Sequence, residues 1–175
     1  MIDATAYGKA LYDLAAEGGV DETVRQQLSL VRDALSPFYL TLMDTPAVAK
    51  EEKIALLRQA FDGVEEILLN FLCILCEKRS MHRFFACEEA YRVCFDEAHG
   101  ILRATAITAV AMQPQQCEAL ERKLAQVTGK TVLLTNRVDA SLIGGITLRY
   151  SGVQLDDSIR TRLDKLRSSL ADTIV

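Results

Sequence analysis

Tryptophan is absent from this 175-residue chain, and phenylalanine and tyrosine together supply only 6% of it. With so few aromatic rings, packing is expected to rest on Leu, Ile, Val and Ala, a composition that suits helices. Long apolar runs are missing too. The longest, Ile67 to Cys76, is interrupted by Asn70 and falls far short of the roughly 20 residues that span a bilayer. Contact with a membrane is therefore expected only through a partner. The start of the chain lacks the basic-then-apolar order of a signal peptide and the Arg/Ser-rich, acid-poor order of a transit peptide, so a bacterial cytoplasmic protein is expected. Five cysteines are an odd number with no disulfide framework, which fits a reducing compartment.

A strong basic excess is also lacking, and with it a generalised nucleic-acid footprint. The net charge of −4 is unevenly spread: residues 1–100 carry 10 Lys/Arg against 17 Asp/Glu, and residues 101–175 carry 10 against 7. The change of sign predicts two surfaces that meet different partners.

No catalytic constellation stands out. Cys73 and Cys76 form a C-x-x-C, but redox motifs of that kind need a strand-to-helix setting and a lowered thiolate pKa. Here the flanks are apolar, and neither a second pair nor a suitably spaced His completes a zinc site. Buried, inert cysteines are expected, and the same holds for Cys87 and Cys94. Gly129-Lys130-Thr131 resembles the end of a phosphate loop, yet position 124 is Leu where that motif needs Gly. His82 and His99 stand alone. The neighbouring pairs Glu51-Glu52, Glu65-Glu66 and Glu88-Glu89 point about 100° apart on a helix, as solvated surface does. No catalytic, cofactor or metal residue is assigned.

What is present is helical grammar followed by strands. Asp3 caps a first helix to Glu17 with Tyr7, Leu11 and Leu14 on one face. Asp21 caps a second, with Val24, Leu28, Val31 and Leu35 as its stripe. Pro37 interrupts the pattern, and apolar residues continue to Met43. Thr45-Pro46 reads as a cap with proline at the first helical position, leading into a helix near Glu51–Phe61. Helices over Glu65–Lys78 and Ser80–His99 follow. After Gly100 the periodicity changes. Ile101–Ala111 reads as a strand, Pro114 opens a helix with Leu120, Leu124 and Val127, and Thr131–Thr135 and Leu142–Tyr150 are strands. Ser151-Gly152 turns the chain into a hairpin with Val153–Leu155. Asp156 or Asp157 then caps a terminal helix carrying Ile159, Leu163, Leu166 and Leu170. The expected class is mainly α: an N-terminal six-helix bundle over residues 1–100, then a small α+β domain over residues 101–175.

The helix Ile67–Cys76 is apolar nearly all around, so it is central to its bundle, or shows a face that a partner covers, or does both on opposite sides. The first helix mixes Ala6, Gly8 and Ala10 with Tyr7 and Leu11, and small residues allow helices to approach closely.

Several segments resemble the delta subunit family of F-type ATP synthases, which includes the mitochondrial oligomycin-sensitivity-conferring protein. Tyr7-Gly8-Lys9-Ala10-Leu11-Tyr12 is similar to that family's Tyr-Ala-x-Ala-Leu-Phe opening, with Gly8 where Ala is commoner. Asn70 to Arg79 is similar to its fifth helix, and Thr128-Gly129-Lys130-Thr131-Val132 to its Thr-Gly-Lys-Lys-Val strand. Val138-Asp139-Ala140-Ser141-Leu142-Ile143-Gly144-Gly145 is the closest match, and Leu155-Asp156-Asp157-Ser158-Ile159-Arg160-Thr161-Arg162-Leu163 resembles Ile-Asp-Gly-Ser-Val-Arg-Gly-Arg-Leu.

The resemblance implies a non-catalytic stator subunit without nucleotide or cofactor. Its helical domain is expected to bind the N-terminal segments of the alpha subunits through a groove of the first and fifth helices, on Tyr7, Ala10, Leu11, Leu14, Asn70 and Ile74. Its C-terminal domain is expected to bind the C-terminal ends of the b subunits. One copy per complex is implied, peripheral on the cytoplasmic face of the bacterial plasma membrane. The competing reading is a small RNA-binding module in the C-terminal half, on Arg160, Arg162, Lys165 and Arg167. A thiol oxidoreductase on Cys73 and Cys76 is the third.

Overall fold

The computed structural model describes residues 3–46, 48–150, 152–159 and 161. It is mostly helical, with a four-stranded sheet towards the C-terminal end. The chain divides into two compact units, Met1–Asp96 and Glu97–Val175.

In the first unit, α1 (Ala4–Glu17) begins where the Asp3 carboxylate accepts from the Thr5 N–H at 3.0 Å, satisfying a first-turn donor that has no intrahelical partner. The core side of α1 is Gly8, Leu11 and Ala15. The stripe expected from Tyr7, Leu11 and Leu14 is thus rotated, and Leu14 is 54% exposed. In α2 (Asp21–Ala34) the expected stripe holds: Val24, Leu28, Val31 and the following Leu35 are all buried. Asp21 is the first helical residue and not the cap, which is Val20. Its charge, with that of Glu22, sits at the positive end of the helix dipole, and its carbonyl accepts from the Tyr91 hydroxyl at 2.8 Å.

Pro37 starts a helix instead of interrupting one. Its fixed φ suits the first turn, and the Ser36 hydroxyl accepts from the Tyr39 N–H at 3.2 Å, giving α3 (Pro37–Asp44). Thr45 was expected to cap the next helix; it ends this one, donating its hydroxyl to the Thr41 carbonyl at 2.8 Å. The next helix, α4 (Lys50–Ala60), starts later. Then α5 (Glu66–Glu77) buries Leu68, Phe71, Leu72, Cys73, Leu75 and Cys76. It stops at Arg79, whose φ of 50° is left-handed, as the Ser80 N–H returns to the Leu75 carbonyl at 2.9 Å. The helix expected from Ser80 to His99 opens as a 3-10 turn, Met81–Arg83, before α6 (Phe84–Ala98). The Asp44 carboxylate fixes that turn by accepting from the N–H groups of Met81 at 2.8 Å and His82 at 3.1 Å.

The second unit orders its strands β2-β1-β3-β4. β1 (Ile101–Thr108) runs parallel to β2 (Thr131–Val138), with α7 (Pro114–Thr128) between them in sequence, and β3 (Gly145–Tyr150) is antiparallel to β1 and to β4 (Val153–Ser158). Leu102, Ala104, Ala106, Val132 and Leu148 form the core, with Leu120, Leu124 and Ala125 of α7 packed on it. Val127, expected on that face, is 85% exposed. β1 ends before the expected Ala111 because side chains pin the departing loop. Asn136 accepts from the Met112 N–H at 2.9 Å and donates to the Ala106 carbonyl at 3.0 Å, while the Thr108 hydroxyl donates to the Val110 carbonyl at 2.7 Å. β3 starts at Gly145, whose φ of 87° is open mainly to glycine, and not at Leu142. The hairpin runs beyond Leu155: Asp156 and Asp157, expected as helix caps, pair with Thr147 and Ile146. Of the expected terminal helix, Ile159 is described, 41% exposed with its N–H on the Gly144 carbonyl at 3.0 Å; Leu163, Leu166 and Leu170 lie outside the described residues.

Candidate functional site

Within the first unit α1 packs against α5. Each helix turns one side into the core and leaves another side out. On α1 the inward residues are Gly8, Leu11 and Ala15. At about 100° per residue, Tyr7, Ala10 and Leu14 lie on a second face, roughly a quarter turn away. Tyr7 is half-buried, Ala10 is exposed, and Leu14 stands out. On α5 the exposed strip is Glu66, Asn70, Ile74 and Glu77, spaced by four, four and three. Ile74 is 43% exposed on a helix whose other large aliphatic side chains are mostly buried. Of the six expected residues, four are exposed and Tyr7 is half-buried. Leu11 is buried at 3% exposure, so it can act only from beneath.

The site has an apolar centre and an acidic margin. Asp13 and Glu17 are exposed on α1, and Glu66 on α5; Glu77 pairs with Lys50 at 3.0 Å. Such a face suits a helix with an apolar stripe and basic flanks. It holds no nucleophile and base in contact.

Two further contacts fix α1. Tyr12 meets the Tyr91 ring edge-on, with centroids 5.6 Å apart. Gly8 lies directly against the α6 backbone: a Cβ added there would sit 2.3 Å from the Cys87 carbonyl oxygen and 2.6 Å from the Ala90 Cβ. At the other end, a Cβ on Gly18 would make ordinary contact with the Ile67 Cδ1 at 3.6 Å.

The C-x-x-C lies within α5 and not at a strand-to-helix turn. Burial pushes the thiols of Cys73 and Cys76 up, and that of Cys87 up to about 11. That is the reverse of what a redox thiolate needs. Gly129 closes α7 in a left-handed conformation and Thr131 opens β2, so no helix N-terminus follows Gly129-Lys130-Thr131 to hold a phosphate. Among the described residues no group of three or more His, Cys, Asp or Glu side chains could hold a metal ion, and no helix is long and apolar enough to cross a membrane.

In the second unit Arg103, Arg149, Tyr150 and Gln154 line a recess of about 310 Å³ beside the β3–β4 turn, and the Arg149 Nε donates to the Gln154 side-chain oxygen at 2.9 Å. Sequence reading did not single out this pair. Arg103 and Arg149 are 46 positions apart in the chain, and only the antiparallel register of β1 and β3 brings them to one end of the sheet.

Comparison with known proteins gives one consistent answer. The sequence model of the ATP synthase delta (OSCP) subunit matches residues 4–170. A protein of Desulforamulus reducens named ATP synthase subunit delta is 33% identical over 170 residues, spanning 95% of this chain and 94% of its own length. A protein of the same name from Lactobacillus johnsonii is 30% identical over 172 residues, spanning 97% and 94%. Among solved structures, a chain of the Toxoplasma gondii mitochondrial ATP synthase hexamer shares the fold, with a TM-score of 0.75 over 98% of each chain at 24% identity.

Proposed function

The chain belongs to the ATP synthase delta (OSCP) subunit family, and from that premise we propose that it is the non-catalytic joint of the peripheral stalk of a proton-translocating F-type ATP synthase. It links the catalytic head to the membrane-anchored b subunits and resists the torque of the rotor. The RNA-binding reading of the C-terminal half has no support from these relatives, whose match runs through both halves of the chain.

Residues 1–100, with α1–α6 as a six-helix bundle, form the head-binding domain. An alpha-subunit N-terminal segment lies as a helix in the groove of α1 and α5, touching Tyr7, Ala10, Leu14, Asn70 and Ile74, with Leu11 supporting the floor. The observation that carries this reading is the exposure of Leu14 and Ile74, 54% and 43%, on two helices packed against each other. A joint under load needs affinity and slow release, and burial of apolar area at roughly 25 cal/mol per Å² supplies both from a few large side chains. The acidic margin adds attraction for basic flanks and repels acidic competitors.

Residues 101–175 form the smaller domain, which takes the C-terminal ends of the b subunits. The recess lined by Arg103, Arg149, Tyr150 and Gln154 supports this as a polar surface of the smaller domain against which a partner segment can lie. One copy serves each complex, on the cytoplasmic face of a bacterial plasma membrane, held there by its neighbours.

The test is a calorimetric titration of the full chain with a synthetic peptide of the alpha-subunit N-terminus. Tight one-to-one binding is expected. Ala10→Asp should weaken it by placing an unpaired charge in the groove; native affinity in that variant would reject the groove assignment.

A further inference from the structure

We propose that Gly8 is a positioning residue: by letting α1 rest on the backbone of α6, it sets the place of the α1 wall of the groove, and with it the affinity for the partner helix. This rests on the groove reading above.

Gly8 is buried within a helix, where glycine is an unfavourable choice compared with alanine. Nothing about its backbone demands glycine, since it has ordinary helical geometry and is not among the positive-φ positions. The demand comes from outside the helix. A Cβ at this position would meet the Cys87 carbonyl oxygen at 2.3 Å, the Ala90 Cβ at 2.6 Å and the Tyr91 backbone nitrogen at 3.0 Å. None of the three can swing aside. Two are backbone atoms inside α6, and the third is a methyl group with no rotamer to change. An added methyl group must therefore be relieved by moving one helix away from the other.

That movement reaches the groove by a short path. The residues that seat α1 on the core are Gly8, Leu11 and Ala15, and those on its adjoining face are Tyr7, Ala10 and Leu14. They belong to one rigid rod. Lifting the rod at Gly8 shifts Tyr7, the residue before it, and Ala10, two residues after it, relative to Asn70 and Ile74 of α5. Helix-in-groove recognition depends on anchor spacing, and a groove displaced from its fitted geometry forfeits the benefit of preorganisation.

The experiment compares three variants of the full chain with the native protein, each measured twice: for affinity to the synthetic alpha N-terminal peptide, and for stability in urea. Gly8→Ala should bind at least about tenfold more weakly. Ala90→Ser, which intrudes on the same contact from the α6 side, should show a smaller loss in the same direction. Leu57→Ala, a fully buried position of α4 outside the groove, should lose stability yet keep native affinity. If Gly8→Ala does not fold, Ala90→Ser decides. Native affinity in a folded Gly8→Ala, or in Ala90→Ser when Gly8→Ala is unfolded, would overturn the proposal. So would a loss of affinity in Leu57→Ala equal to that in Gly8→Ala, because general loosening would then explain both. A native chain that fails to bind the peptide would refute the groove itself, a different outcome from a native chain that binds while Gly8→Ala binds equally well.

Discussion

The ammonium group of Lys53 donates to the Met43 carbonyl oxygen at 2.8 Å, reaching from α4 to the C-terminal end of α3. The same group donates to the Thr45 carbonyl. Lys53 is only 5% exposed, so a cation serves here as the cap of a helix whose last carbonyls have no intrahelical partner. Lys53→Met keeps the stem and removes the donors, leaving polar groups partly buried without partners. A loss of about 1–3 kcal/mol is expected, read from the midpoint of urea unfolding at constant slope. A midpoint equal to the native one would show that water replaces the ammonium without cost.

Stability should fall in alkaline solution for reasons already visible in the core. Burial, then the Asp21 carboxylate, raises the pKa of the Tyr91 phenol, and burial lifts the Cys87 thiol from its ordinary 9.0 to about 11. Both are neutral in the fold, while an unfolded chain releases the Cys87 proton near 9.0 and the Tyr91 proton near 10.0. Between those values and the raised ones the unfolded state binds fewer protons, so the free energy of unfolding decreases as pH rises. The urea midpoint should hold below about pH 8 and decline above the ordinary thiol value. Tyr91→Phe should flatten part of that decline, although it gives up the bond to Asp21. An unchanged alkaline slope in Tyr91→Phe would remove the phenol from the explanation.

Thiol chemistry offers a direct check on the packing. Cys73, Cys76 and Cys87 are buried, and Cys94 and Cys117 are partly accessible. A chromogenic disulfide reagent should modify the latter two first in the native protein and reach the other three only as the chain unfolds. Fast modification of Cys73 or Cys76 in the folded state would reopen the redox reading of that pair.

The two exposed aliphatic residues of the groove should separate binding from folding. Leu14→Ala and Ile74→Ala each remove a side chain that is about half in water, so unfolding should change by no more than about 0.5 kcal/mol. Each should weaken the alpha peptide by about 1–2 kcal/mol. Equal affinities for native and variant chains would place the docking face elsewhere.

Much of the helical pattern was legible because local rules govern it. The Val24-Leu28-Val31-Leu35 stripe and the Asp3 cap depend only on neighbours within a few residues. The misreadings arose where a distant group decided the outcome. Thr45-Pro46 has the form of a helix start, but Thr45 closes α3 and the next helix waits until Lys50. The break before α6 depends on Asp44, whose carboxylate caps residues 37 and 38 positions away. Side-chain size and spacing put the stripe of α1 on Tyr7, Leu11 and Leu14. The structure seats α1 through Gly8 and Ala15, small residues that hydrophobic periodicity does not weigh. The same rotation that corrects the core leaves Leu14 outside, where a partner can reach it.

The most direct test of the account is recovery of the tagged chain from native membranes in mild detergent, followed by identification of what comes with it. The alpha, beta and b subunits of the ATP synthase should accompany it, with alpha lost and b retained when Ala10→Asp replaces the native chain. Recovery of the tagged protein without any ATP synthase subunit would contradict it.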